Sequence, residues 1–383
     1  MDFGFTEEQQ LIRDSVVKLM ARVAPPEMVR RHDRDRTYPY ELYDAWVEAG
    51  LLKLPFPEDV GGVGGSAMDV AIVVEELSRV STDFTMAYAG SIFCGLNILR
   101  HGNAEQKREW LPKVMSGKAK LAIGISEPDA GSDVGALKTF ARRDGDRWIV
   151  NGQKLWTTAA GLEGSVISTY VRTDRDAHYR DGLSLLLIDN DAPGVELRKL
   201  DMLGRRCAGT YEVFLRDVEV PHERLIGGEN RGWDALMSGL QYERAVSAAG
   251  STGGARAVVD LAVAYAKERV QFGRPIGSFQ SIGPALADIQ TEVDAARLLS
   301  WRAAGLVATG QDALREITMA KLFASETYVK AANIGVQVMG AYGLNAEYDM
   351  QRYFRDAKSA TIAAGTSETQ RNLIAGLMGL KAR

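Results

Sequence analysis

The residue types that most often perform acid–base catalysis or bind metals are scarce in this chain of 383 residues. It has 4 His and 2 Cys, and Cys94 and Cys207 lie far apart with no C-x-x-C spacing, which excludes a zinc ribbon or a disulfide framework. The histidines form neither an H-E-x-x-H motif nor an i,i+4 pair, so we expect no metal site. An enzyme of this composition is expected to use a carboxylate or a cofactor for its acid–base chemistry.

Two segments near the middle of the chain carry residues suited to binding a ligand. Residues 125–133 (I-S-E-P-D-A-G-S-D) are predicted as a strand running into a loop, where backbone N–H groups and hydroxyls can hold an anion or a heterocycle. Trp156, Thr157 and Thr158 end another predicted strand, and an aromatic ring beside two hydroxyls can flank a planar cofactor. Residue types alone favour an ordinary turn for the first segment, and a half-buried strand end explains the second equally well.

Three segments near helix ends in the last third of the chain carry residues that could bind phosphate. Residues 269–275 (R-V-Q-F-G-R-P) follow a long predicted helix, with Gly273 as its stop signal. Arg269 and Arg274 suit phosphate, although basic residues at a helix C-terminus are commonly only partners of the helix dipole. Segments 337–343 and 363–370 each place glycine beside a helix, and the second opens a helix at Ser367 whose first N–H groups can face an anion.

The hydrophobic pattern along the chain predicts helices, then strands, then helices again. The first helix begins at a capping box formed by Thr6 and Gln9. Because no βαβ alternation is present, the fold class is predicted as α+β. We expect an N-terminal helical domain (1–121), a middle β-barrel or sandwich domain (122–226) and a C-terminal four-helix-bundle domain (227–383).

The individual elements follow from periodicity and turn residues. In the first domain, helices are predicted at 41–52, 67–80 and 84–100. In the middle domain, strands are predicted at 137–142, 148–150, 166–171, 183–188, 195–200 and 211–220, with a hairpin turn at Asp144-Gly145 and the next turn at Asn151-Gly152. In the last domain, helices are predicted at 233–250, 255–271, 282–309, 314–339 and 367–377.

Composition and charge exclude several classes of function. The formal net charge is -4, so the chain as a whole offers no basic surface for nucleic acid. The N-terminal residues lack the basic and apolar regions of a secretory signal. The most apolar stretch, 84–99, is interrupted by Ser91 and Asn97 and is too short to span a bilayer, so we expect a buried helix and no membrane insertion. We predict a reducing, cytoplasmic location.

The joint order of these segments resembles the acyl-CoA dehydrogenase family over essentially the whole chain. Both family signatures are recognisable, namely 125–133 with Trp156–Thr158, and R-D-A-K (355–358) leading into Gly365-Thr366-Ser367 and Gln370-Arg371. The loop L-G-R-R-C (203–207) and the R-x-Q-F-G element (269–273) also match the family in order and spacing. The resemblance is specific to the superfamily and does not identify one substrate.

The resemblance implies FAD held between subunits, and with it a homotetramer. Ile125, Ser126, Trp156 and Thr158 resemble contacts to the flavin ring, with Thr158 near N5. Thr366 and Glu368 resemble contacts to the ribityl and diphosphate groups in the same subunit. The residues that resemble contacts to the FAD diphosphate and adenosine across a subunit interface are Arg269, Phe272, Gln280, Gln337 and Gly340. Ser132 and Arg244 resemble residues that meet the pantetheine and phosphate arm of an acyl thioester.

The resemblance also implies a dehydrogenation in which an α-proton goes to a base and a β-hydride goes to the flavin. Most family members place a glutamate immediately before the Gly-Thr that opens the last helix, but here that position is Ala364. A branch similar to the isovaleryl-CoA and long-chain enzymes supplies the base from a Glu-Arg pair in the helix after the sheet, which matches Glu243-Arg244. We therefore predict Glu243 as the base. In the family the backbone N–H at the position of Ala364 polarises the thioester carbonyl, a role that alanine keeps.

Several alternatives remain open at this point. Family members often have polar residues after the position of Cys207 that reach the CoA adenosine, whereas this chain has Ala208-Gly209. The thioester is then either CoA or the pantetheine arm of a carrier protein. The oxidant implied by the family is electron-transferring flavoprotein, and the reverse reaction, enoyl-thioester reduction, is an alternative. A third possibility is a non-catalytic FAD-binding subunit, which Ala364 favours and Glu243 opposes.

Overall fold

The computed structural model describes residues 4–380. Along the chain, helices come first, most of the strands follow, and helices return in the last part. The helices are α1 (Glu7–Val23), α2 (Pro26–Asp35), α3 (Tyr40–Glu48), α4 (Ala67–Val80), α5 (Thr85–His101), α6 (Ala104–Met115), α7 (Tyr179–Gly182), α8 (Gly232–Glu268), α9 (Gly283–Ala308), α10 (Leu314–Met339), α11 (Ala341–Leu344), α12 (Met350–Ala360) and α13 (Ser367–Leu377). The strands are β1 (Lys120–Gly124), β2 (Phe140–Asp144), β3 (Arg147–Thr158), β4 (Ser165–Arg172), β5 (Leu183–Asp189), β6 (Val195–Lys199), β7 (Thr210–Pro221), β8 (Leu225–Ile226), β9 (Val270–Gln271) and β10 (Arg274–Pro275). The predicted α+β class is confirmed.

The N-terminal helices begin where the sequence provides caps. The Thr6 hydroxyl accepts the Gln9 N–H at 3.2 Å, and the Gln9 side chain accepts the Thr6 N–H, so the predicted capping box is present. Helix α4 has the bounds predicted from its periodicity, and α5 is almost wholly buried, as expected for a core helix. The pattern missed α2 and α6, because both sequences are rich in charged residues and α6 also contains Pro112.

The middle part is an eight-stranded sheet of two layers that share one core. Its path runs β6-β7-β3-β2-β4-β5-β8, and β1 pairs with β4 in parallel. The two layers join through a single bridge between Phe140 and Arg172, and apolar side chains from both layers form one cluster. The turn predicted at Asn151-Gly152 is wrong: both residues lie inside β3, where the register with β7 shifts. Such a shift is a β-bulge, which glycine favours as much as it favours a turn.

The C-terminal part is built around α8, a single helix of 37 residues. The two helices predicted at 233–250 and 255–271 are therefore one. The small residues between them allow close packing: a Cβ on Gly253 would lie 2.1 Å from the Glu75 carbonyl oxygen of α4, and one on Gly254 would lie 2.5 Å from the Tyr328 ring of α10. Glycine at these positions serves contact between helices and does not end the helix.

Two further predictions in this part are corrected. Gly273 does not stop α8, which ends at Glu268; it forms, with Phe272, the turn of the β9–β10 hairpin, where both residues have positive φ. The pattern also missed α12, a helix with a charged outer face. Helices α9, α10 and α13 lie within one residue of their predicted bounds.

The three parts share a core. The largest apolar cluster joins residues of α1–α6, β1, β4 and β5 to the first half of α8, and the second half of α8 packs against α9, α10 and α12. Helix α8 therefore crosses from the N-terminal helices to the C-terminal bundle. Over residues 4–380, no helix is long and apolar enough to cross a membrane.

Candidate active site

The two halves of the predicted catalytic region meet where α8 contacts the segment between α12 and α13. Arg244 of α8 donates from Nε to the Ala364 carbonyl oxygen at 3.1 Å. Glu243, the residue before Arg244, lies within electrostatic reach of Arg244 and Lys321, the two cations that contact this segment. The fold brings together Glu243, Arg244 and Ala364, which the sequence had separated by about 120 residues.

Glu243 lies in a confined and mainly cationic environment. Its side chain keeps some accessible surface, but protein atoms surround it. Burial raises the pKa of this carboxyl group, and the positive charges of Arg244, Lys321 and Arg205 act in the opposite direction. Because burial is the larger effect, the net pKa lies above that of an ordinary glutamate, which suits a group that must accept a proton near neutral pH.

Donors from three helices hold the backbone of Ala364 and Gly365. Lys321 on α10 donates to the Gly365 carbonyl oxygen at 2.5 Å, and the Gln370 amide on α13 contacts the same oxygen at 3.0 Å and that of Ala364 at 3.3 Å. Ala364 has φ 57° and Gly365 has φ 89°. A left-handed alanine is strained, so this network fixes a backbone conformation that the chain would otherwise avoid.

Lys321 and Gln370 were missed as site residues by sequence reasoning. Lys321 is 1% exposed and lies on the same helix face as the buried Ile317, Ala324 and Tyr328. A lone lysine on an apolar helix face is costly to bury. That placement is the signal that could have identified it.

The residues predicted to contact the flavin ring lie where strands β1 and β3 end. The Leu155 N–H donates to the Ser126 carbonyl oxygen at 2.8 Å, so Ile125 and Ser126, which follow β1, lie beside the end of β3. Trp156 is 54% exposed and has φ 63°, at a second register shift of β3. Thr158 is partly exposed and pairs with Thr210.

A buried ion pair supports these strand ends. Lys154 is completely buried, and its Nζ lies 2.7 Å from a Glu127 oxygen and 3.1 Å from the Ile125 carbonyl oxygen. Burial lowers the pKa of Lys154 to about 8, although Glu127 acts to raise it. Glu127 also accepts the backbone N–H groups of Lys138 and Thr139. The pair therefore connects both segments that carry the predicted ring contacts.

The loop between β6 and β7 is held by two buried aspartates. Asp83 accepts the N–H groups of Cys207 and Ala208, at 2.7 and 3.1 Å, and Asp356 accepts that of Arg205 at 2.8 Å. Burial raises the pKa of Asp356 to about 6, and the nearby charge of Asp83 acts in the same direction. Ala208 is completely buried, so it does not present a side chain to a ligand at the surface of this chain.

A cavity of about 610 Å³ opens beside the N-terminus of α13. It is lined by residues of α10, α12 and α13, including Lys330, Lys358, Ile362, Thr366 and Glu368. Thr366 caps the helix by accepting the Thr369 N–H. Lys358 and the helix N-terminus suit a phosphate group, and Ile362 provides an apolar wall. Lys330 is paired with Glu292, and the carboxylates of Glu326 and Glu368 also line the cavity.

The remaining predicted contacts divide into two surface groups. Ser132 is exposed in the loop after β1. Arg269, Phe272, Gln280, Gln337 and Gly340 are all exposed at the end of the C-terminal helices, where Arg269 lies over the Tyr342 ring and Phe272 is 94% exposed. Along α8, this end lies about 38 Å from Glu243. The second group is thus far from the Glu243 site of the same chain.

The comparisons with known proteins bear on these observations. Models of three domains match in order: the acyl-CoA dehydrogenase N-terminal domain at residues 6–118, the middle domain at 122–218 and the C-terminal domain at 230–378. The chain belongs to the acyl-CoA dehydrogenase family. It is an enzyme of the kind that acts on the CH–CH group of acyl-CoA, and it has the three-domain acyl-CoA dehydrogenase fold.

Relatives in this family match along nearly their full length. A probable acyl-CoA dehydrogenase, YngJ, of Bacillus subtilis is 37% identical, with 98% of this chain and 99% of that protein covered. The caffeyl-CoA reductase-Etf complex subunit CarC of Acetobacterium woodii is 35% identical, with 98% and 99% covered.

Solved structures of acyl-CoA dehydrogenases and related flavoproteins match equally widely. A glutaryl-CoA dehydrogenase in complex with glutaryl-CoA superposes with a TM-score of 0.96 at 33% identity, covering 100% of this chain and 98% of that one. The prolyl acyl carrier protein oxidase AnaB and the FAD complex of PigA each give 0.93 at 27% identity, covering 98% and 99% of this chain and 100% of theirs. FAD is the cofactor of this acyl-CoA dehydrogenase family member.

The residues present fit FAD. The exposed Trp156 offers an aromatic face, and the accessible Ser126 and Thr158 lie beside it. Within residues 4–380, neither hydroxyl has a hydrogen-bond partner, so both are free to bind a ligand. The cavity at α13 offers Lys358 and the first N–H groups of the helix to phosphates. The aromatic face and the hydroxyls match the flavin ring of FAD, and the cavity matches its diphosphate.

Proposed function

We propose that this chain catalyses FAD-dependent α,β-dehydrogenation of an acyl-CoA thioester, with Glu243 as the base that removes the α-proton. When bound, FAD supplies the acceptor for the β-hydride. The Glu243 carboxylate takes the proton, and the Ala364 N–H donates to the thioester carbonyl oxygen. That N–H has no acceptor within residues 4–380, so it is available to a substrate. Arg244 and Ser132 are proposed to contact the pantetheine and phosphate arm.

The observation that carries the proposal is the contact between α8 and the Ala364 segment. Arg244 binds the Ala364 carbonyl oxygen, so α8 brings Glu243, the residue before Arg244, close to the segment that carries the Ala364 N–H. A base and a carbonyl-polarising donor are what removal of an α-proton requires. The raised pKa of Glu243 supports the same role.

FAD is proposed to be held by two subunits. Ile125, Ser126, Trp156 and Thr158 would contact the ring, and Thr366 and Glu368 the ribityl and diphosphate groups. The exposed group of Arg269, Phe272, Gln280, Gln337 and Gly340 would contact the FAD of a neighbouring subunit, because about 38 Å separates it from Glu243 of its own chain. This arrangement supports a homotetramer, built from domains at 1–121, 122–226 and 227–383.

Electron-transferring flavoprotein is proposed as the electron acceptor. The support is the similarity to CarC, which is named as a subunit of a reductase-Etf complex. Because that relative is named as a reductase, enoyl-thioester reduction, the reverse of the same reaction, is the alternative activity. We further propose a cytoplasmic location and a role in fatty acid metabolism, the first because both cysteines are free and buried.

A panel of acyl-CoAs tests the function. The purified FAD-loaded protein is mixed anaerobically with straight, branched and aromatic acyl-CoAs, and the absorbance of the oxidised flavin is followed. We expect at least one thioester to bleach the flavin and to yield the enoyl product. Protein that holds FAD but is reduced by no thioester would contradict the proposal and favour a non-catalytic subunit.

A carrier-bound thioester is the second candidate substrate. The similarity to the prolyl acyl carrier protein oxidase AnaB favours it, as does the absence of polar side chains at Ala208-Gly209. Turnover of one acyl group presented on CoA and on a carrier protein separates the two candidates. A kcat/KM higher for the carrier form would assign the carrier.

A further inference from the structure

Lys321 is a buried cation with no counter-ion in contact. It is 1% exposed, and within residues 4–380 no carboxylate lies within salt-bridge distance of its Nζ. Its hydrogen-bond acceptor is the Gly365 carbonyl oxygen. A buried ammonium group is costly unless its charge or its hydrogen bonds are used, so the surroundings of Lys321 indicate what it does.

The hydrogen bonds of this region turn two consecutive carbonyl oxygens inward. Lys321 and Gln370 hold that of Gly365, while Arg244 and Gln370 hold that of Ala364. The N–H groups of both residues have no acceptor within residues 4–380. The Ala364 carbonyl shares a peptide plane with the Gly365 N–H, so holding that carbonyl fixes the direction of this N–H. Holding both carbonyls also fixes the left-handed backbone at Ala364 and Gly365, from which the Ala364 N–H projects.

Lys321 also belongs to the charged surroundings of Glu243. The cations facing Glu243 are Arg244 on α8, Lys321 on α10 and Arg205 on the β6–β7 loop. Cys94 of α5 and Tyr170 of β4 lie within its electrostatic reach, and their pKa values are raised by burial and by Glu243. Lys321 itself faces Arg244, Glu243, Arg205 and Glu326.

We propose that Lys321 is a positioning residue for the reaction: its ammonium group holds the Gly365 carbonyl, and with it the left-handed Ala364–Gly365 backbone that presents the Ala364 N–H to the thioester carbonyl. Its charge also favours the carboxylate form of Glu243. This inference rests on the proposed function. It assigns Lys321 a role in catalysis in addition to packing.

The test compares Lys321→Met, which removes donor and charge, with Lys321→Gln, which keeps a donor, and Lys321→Arg, which keeps both. For Lys321→Met we expect unchanged flavin content, kcat lowered at least about tenfold with a smaller change in KM, and an acid limb of kcat/KM moved to higher pH. The limb moves to higher pH because the loss of one positive charge raises the pKa of Glu243. Lys321→Arg should keep the limb of the wild type, and Lys18→Met on the exposed face of α1 controls for the substitution.

A second readout isolates proton removal. Exchange of the α-hydrogens of acetyl-CoA with deuterium, followed by NMR, needs no β-hydride transfer. We expect the same loss in Lys321→Met as in kcat. Lys321→Met with the rate and pH profile of the wild type would overturn the proposal. Should Lys321→Met not fold, Lys321→Gln keeps a donor but no charge, and an acid limb identical to that of the wild type in this variant would overturn the proposal. A wild type that reduces flavin with no thioester would instead overturn the proposed function.

Discussion

Glu243 combines two properties that a catalytic base needs at the residue scale: a raised pKa and a place next to Arg244, which contacts the Ala364 segment. Burial raises its pKa more than Arg244, Lys321 and Arg205 lower it. Nearby cations lower the pKa of a carboxyl group, so a pKa that stays raised among cations indicates an enclosed site. The same burial explains why a residue that looks like an ordinary helical glutamate in the sequence can act as a base.

The pH dependence follows from the direction of this shift. The Glu243 carboxylate is the active form, so kcat/KM should fall as the pH decreases through its pKa, and this limb should lie above the range of an exposed glutamate. Initial rates from pH 4.5 to 9 measure it. A rate that stays constant down to the ordinary range of glutamate would contradict the assignment.

The position of Ala364 offers a rescue of a lost base. In a Glu243→Gln background, Ala364→Glu should restore part of the activity, because the segment is held by Arg244 beside the same site. The measurement is the rate of flavin reduction in the double variant against Glu243→Gln alone. Ala363→Glu, at the exposed neighbouring position, is the matched control and should restore nothing.

At the scale of elements, α4, α8 and α9 are joined by a buried charge cluster. Glu75 of α4 binds Arg256 of α8 and accepts from Arg297 of α9 at 2.7 Å and from the Trp301 indole at 3.0 Å. These contacts hold the N-terminal helices against the helix that carries Glu243.

Glu75→Gln should therefore destabilise the protein. It removes the carboxylate that contacts Arg297 and leaves Arg256 paired with Glu76, so we expect the free energy of unfolding to fall by about 3 kcal/mol. Urea unfolding of the FAD-loaded protein gives the value, and Glu8→Gln on the exposed part of α1 should change it little. Equal stability of the two variants would show that the cluster contributes nothing net.

The elements also show what could be predicted from the sequence. Helices such as α4 and α10 were predicted because their apolar residues recur at helical spacing. The sequence around Gly253 and Gly254 predicts a helix end, but these glycines contact α4 and α10, which lie far away in the sequence. Asn151-Gly152 was misread for the same reason, because a bulge in β3 depends on its pairing with β7.

The site was predictable only in part, on the same physical grounds. Glu243 and Ala364 were identified by resemblance, but their contact through Arg244 depends on tertiary packing. Lys321 and Gln370 act on backbone carbonyl oxygens. Such contacts leave no motif in a sequence, because a carbonyl oxygen is present at every residue.

At the scale of the whole molecule, each proposed FAD site is completed by a second subunit. Arg269→Glu should reduce the flavin content and dissociate the assembly without unfolding the chain, because Arg269 is exposed and, among residues 4–380, its guanidinium group contacts only the Tyr342 ring. Light scattering gives the mass, and the flavin-to-protein absorbance ratio gives the content. Arg108→Glu on the exposed face of α6 is the control, and unchanged mass and flavin content in Arg269→Glu would contradict the two-subunit site.

The measurement that tests the central claim most directly is anaerobic flavin reduction in Glu243→Gln, using the thioester that bleaches the wild type fastest. The amide has nearly the shape of the carboxylate but cannot take the α-proton, so we predict FAD-loaded protein that still binds the thioester and shows almost no bleaching. Full bleaching of Glu243→Gln at the rate of the wild type would contradict the account, since another group would then remove the proton.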